Sequence, residues 1–103
     1  MASEQAKGLT QLWQRLTELR DLEYGDQEAL ASWQAKARTD LQRILPDRDD
    51  AARLERIWSS RHTAAAARRL LASDFESQRS ASIGLLQGAI HEAQEHWARH
   101  HRA

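Results

Sequence analysis

A chain of 103 residues without a single cysteine is long enough to close one hydrophobic core, and it excludes a disulfide framework, a thiolate metal site and a cysteine nucleophile. Fifteen basic residues balance fifteen acidic ones, which argues against both a dedicated duplex-DNA binder and a strongly acidic DNA mimic. At 41% hydrophobic and 29% charged residues, the composition is that of a folded domain, too rich in apolar side chains for disorder.

The charge is mildly divided. Residues 1–50 hold seven Lys/Arg against ten Asp/Glu, and residues 51–103 hold eight against five. No run of 18 apolar residues occurs, so no membrane span is expected, and the opening MASEQAKGLTQLW lacks the basic start and apolar centre of a signal peptide. The expected location is the cytoplasm.

The first helix is predicted over residues 3–22, with Ser3 as N-cap and Leu9, Leu12, Trp13, Leu16 and Leu19 inside an arc of about 120°. Tyr24-Gly25-Asp26 reads as a stop and a restart: Gly25 supplies the left-handed residue that closes one helix and Asp26 caps the next. A connection this short makes the two helices antiparallel neighbours. The second helix, over 27–45, carries the stripe Leu30, Trp33, Ala37, Leu41 and Ile44 and is ended by Pro46. One of Asp47, Asp49 and Asp50 should cap the third helix, over 49–59, with Ala51, Leu54, Ile57 and Trp58 facing inward. Residues 64–72 read as a short fifth helix opened by Thr63. Ser73 with Glu76 matches a capping box, so the last helix is expected over 74–100, after a break or kink near Ser73, the alternative being one continuous helix from Thr63 to about His100. The expected fold is therefore all-α, an antiparallel up-and-down bundle of four main helices with a possible short fifth. One tryptophan stands in each main stripe (Trp13, Trp33, Trp58, Trp97) as a core anchor, in preference to a ligand-stacking cage.

The last helix is the informative one. Ile83, Leu86, Ile90, Ala93 and Trp97 form an apolar stripe, and Ser77, Ala81, Gly84 and Gly88 line up roughly opposite, with Leu85 at the flank. Each helix-interior glycine costs about 1 kcal/mol relative to alanine, so a close helix neighbour is expected on that back face. Two readings stay open: a second helix of the same chain, or an interface with a second copy or another protein. Interface residues are accordingly Ser77, Ala81, Gly84, Leu85 and Gly88, and the partner is a homodimer mate or another protein.

Other candidate chemistry is thin. His91, Glu92, Glu95 and His96 miss the zinc-protease pattern because their histidines are five apart, and they read instead as i,i+4 surface pairs. His96, Arg99, His100, His101 and Arg102 read as a basic tail suited to a helix C-terminus. Arg53, Arg56, Arg61, Arg68 and Arg69, against a lone Glu55, make the one basic segment. They support the alternative reading, a small nucleic-acid-binding subunit. The four glycines never take a phosphate-cradling spacing, and no nucleophile–base constellation stands out. No enzymatic activity, metal or cofactor is expected.

Leu30-Ala31-Ser32-Trp33, Leu41 to Asp47, Ala52 to Ile57, Gly84-Leu85-Leu86 and Ala89 to Glu92 together give a layout that resembles the small helical N-terminal modules of bacterial phage-defence and abortive-infection-type effector proteins. In this chain Pro46-Asp47 stands where those modules usually carry an aromatic-glycine pair. The resemblance spans roughly residues 27–95 and implies an adaptor or oligomerisation module.

Overall fold

The computed structural model describes residues 2–59 and 72–100 of the chain, with side chains over 6–58 and 74–98. Four helices follow one another among the described residues: α1 (Ala2–Asp21), α2 (Gln27–Ile44), α3 (Asp50–Ser59) and α4 (Ala72–His100). They close a ring in which α1 packs on α2 and α4, and α3 packs on α2 and α4. The fold is an all-α helical bundle. At 29 residues α4 is the longest element by nine, and it forms a wall shared by the other two layers of the ring.

The first connection follows from two side chains. Gly25 has φ of 98°, a conformation that other residues adopt at a steric cost, and Asp26 accepts the Ala29 amide N–H through Oδ1 at 3.1 Å. The next boundary is set by Pro46. Leu45 is driven to φ −128° and ψ 66°, closing α2, while its own N–H still donates to the Leu41 carbonyl at 2.9 Å. Asp49 then stands at the N-cap position, its carbonyl taking the Arg53 N–H at 2.9 Å. The predicted caps at the outer helix ends sit differently. Ser3 lies inside α1, which begins at Ala2, and Ser73 lies inside α4, already helical at Ala72. The predicted 64–72 helix falls, apart from Ala72, outside the described residues.

The core is built from Leu12, Leu16 and Leu19 of α1, Trp33, Ala37 and Leu41 of α2, Leu45, Ala51 and Leu54 around α3, and Leu85, Leu86, Ala89, Ile90 and Ala93 of α4. Burying each leucine fully stabilises the fold by roughly 2 kcal/mol. Trp13, expected as an anchor, is not one: it is 47% exposed. The buried arc of α1 is rotated away from it. Gly8, about 40° to one side of Leu12, is buried, and a Cβ placed there would stand 3.2 Å from Ile44 Cγ1. Trp13, about 100° to the other side, is left facing out. Gly8 is thus a glycine at which two helices of this chain approach closely, one of the two readings that the sequence left open for Gly84 and Gly88.

An aromatic line crosses the bundle. Trp33 meets Trp58 edge-on with centroids 6.4 Å apart, Trp58 meets Phe75 at 5.9 Å, and Phe75 meets Tyr24 at 5.7 Å. The buried Trp33 and the half-buried Trp58 are both anchored at their polar end: Trp33 Nε1 donates to the Arg15 carbonyl and Trp58 Nε1 to Ser82 Oγ, each at 2.8 Å. α4 also closes the ends of its neighbours. Arg79 donates to the carbonyls of Arg20 at 2.8 Å and Leu22 at 2.7 Å, satisfying acceptors that the end of α1 leaves open. Gln78 Nε2 donates to the Ile57 carbonyl at 2.9 Å in the last turn of α3.

Candidate functional site

The outward face of α4 is defined by what the core takes from it. Phe75, Gln78, Ser82, Leu85, Leu86, Ala89, Ile90 and Ala93 point inward. Ser77, Ser80, Ala81, Gly84, Gln87 and Gly88 are exposed. Those six positions carry no charge, while the exposed Glu76 stands just before them and His91 and Glu95 continue the face beyond Gly88. A Cβ added to Gly84 or Gly88 meets no atom within 4 Å. Among the described residues, then, no second helix of this chain covers the small-residue stripe, and the close neighbour expected there is not α1 or α3. Leu85, expected at the flank of the interface, is largely taken by the core.

Beside this face lies an open groove of about 670 Å³ between α3 and α4, lined by Arg53, Arg56 and Ile57 on one side and Ser77, Gln78, Ala81, Gly84 and Leu85 on the other. The groove brings together two sets of residues that the sequence kept apart: the first two arginines of the basic segment and four of the five interface candidates. Gly88 continues the same face one turn beyond the groove. Arg61, Arg68 and Arg69 lie outside the described residues.

The electrostatics of α3 separate a structural side from an open one. Asp50 is 1% exposed, and its carboxylate is held by Arg48 Nε at 2.7 Å, by a second Arg48 nitrogen at 3.2 Å and by Arg53 at 3.4 Å. The hydrogen bond to Asp50 raises the Arg48 pKa above the ordinary arginine value, against a smaller effect of desolvation that lowers it. Arg48 also reaches Glu92 of α4 at 3.5 Å, so this cluster ties the α2–α3 connection to the last helix. Arg53 and Arg56 are more open, their side chains 50% and 65% exposed, with Arg53 reaching Asp50 at 3.4 Å and Arg56 reaching an exposed Asp49 at 3.7 Å. Neither is immobilised by its partner.

A second buried cluster, Arg15 with Asp40 at 2.9 Å and with Glu18 at 2.6 Å, joins α1 to α2 away from the groove. His91 faces Glu95 at 3.9 Å, the expected i,i+4 pair, and Glu92 also reaches across to Arg48. Among the described residues, no three His, Asp or Glu side chains converge as a metal site would require, and no helix is long and apolar enough to cross a membrane. The groove offers guanidinium, amide and hydroxyl groups and no carboxylate or imidazole. Gln78 was missed by the sequence reading because apolar periodicity does not register a buried amide. It is nine-tenths buried, its Nε2 is fixed on the Ile57 carbonyl, and its Oε1 accepts no hydrogen bond.

No family model matches the chain, and neither the curated proteins nor the solved structures contain a match to it. The resemblance to phage-defence modules therefore stands on the quoted residues alone.

Proposed function

We propose that the protein is a non-enzymatic protein–protein interaction module that docks a helix on the outward face of α4. The observation that carries this reading is the pair Gly84 and Gly88, exposed in the middle of a 29-residue helix with open space where their side chains would be. Such glycines destabilise the helix by about 1 kcal/mol each and do nothing for the packing of the described chain. A backbone approaching closely from outside gives them a use. The groove supports the same reading, since it supplies hydrogen-bond donors and a shallow floor but no general base or nucleophile partner.

Solution mass by light scattering across a tenfold dilution series is the test. A dimer that dissociates in Gly88→Leu supports docking on this face by self-association. A dimer that survives Gly88→Leu places the interface elsewhere and refutes the reading. A monomer at every concentration excludes self-association and leaves the face to a different protein.

A further inference from the structure

We draw no further inference here: the strongest candidate, the small-residue face of α4 beside the α3–α4 groove, carries nothing beyond the docking role already proposed, because Arg53 and Arg56 at its edge have acidic partners in Asp50 and Asp49 and nothing in the structure shows what covers it.

Discussion

Replacing Gly84 and Gly88 by alanine separates a glycine kept for packing inside the chain from one kept for something outside it. Both positions lie well inside α4, and an added Cβ has no neighbour within 4 Å at either. Nothing in the described chain opposes the change, so the gain is the helix-propensity difference, about 1 kcal/mol per site and about 2 kcal/mol for the double variant. For a domain of this size that corresponds to a rise in melting temperature of roughly 8–16 °C. Urea and thermal unfolding at low micromolar concentration, followed by circular dichroism, measure it directly, and an unchanged m-value would show that the denatured state is not the cause. Gly8→Ala is the internal control. Its Cβ would press to 3.2 Å on Ile44, so the same propensity gain is offset by repacking and the net change should be smaller than at Gly84 or Gly88. If the double alanine variant is less stable than the native chain, some part of the chain packs on that face and the docking argument fails.

Three further outcomes follow from the core and its polar fastenings. Trp13→Ala should change stability by less than about 0.5 kcal/mol, whereas Leu16→Ala, at a fully buried site, should lose about 2–5 kcal/mol; comparable losses would mean that Trp13 is packed after all. Arg79→Ala removes both donors from the end of α1 and should cost about 2 kcal/mol in urea unfolding, with Arg79→Lys recovering only part because one ammonium replaces a two-pronged guanidinium. Arg48→Ala should cost about 3 kcal/mol by stranding the buried Asp50 carboxylate with Arg53 alone, more than the reverse change Asp50→Asn, which leaves Arg48 able to reach water. An equal loss for the two variants would show that the Asp50 site is wetter than its burial implies.

Connections were the most legible part of the sequence, because single residues decide them by steric rules. Gly25, Asp26 and Pro46 act locally, and the helices begin and end within a residue or two of where those rules place them. Which way each helix turns its faces was harder. Leu9, Leu12, Leu16 and Leu19 could be read as a stripe including Trp13, since a tryptophan at the edge of an arc looks like part of it. The choice of Gly8 over Trp13 depends on Ile44, thirty-six residues away. Phe75 escaped notice because it sits in the polar stretch Asp74 to Ser80, yet it is among the largest fully buried side chains. Gln78 and Ser82 are buried through partners on α3, and Asp50 through Arg48 two residues before it, none of which apolar periodicity contains. The candidate site was half legible. Its two halves could be named from the sequence, but their meeting in one groove depends on α3 lying against α4.

The fastening of α1 and α3 by α4 has a consequence for how the chain comes to be made. Arg79 bonds to Arg20 across 59 positions of sequence and Gln78 to Ile57 across 21, so the ends of the early helices are finished by residues synthesised last. During translation the α1–α2 hairpin can form as soon as it emerges, held by Asp26 and by Trp33 on Arg15, but it stays open along one side. Proteases and chaperones would meet an incomplete ring until α4 is released. The bundle is then assembled in one closing step, and a chain cut anywhere before Arg79 should behave as a nascent chain does, helical in part and unable to hold its core.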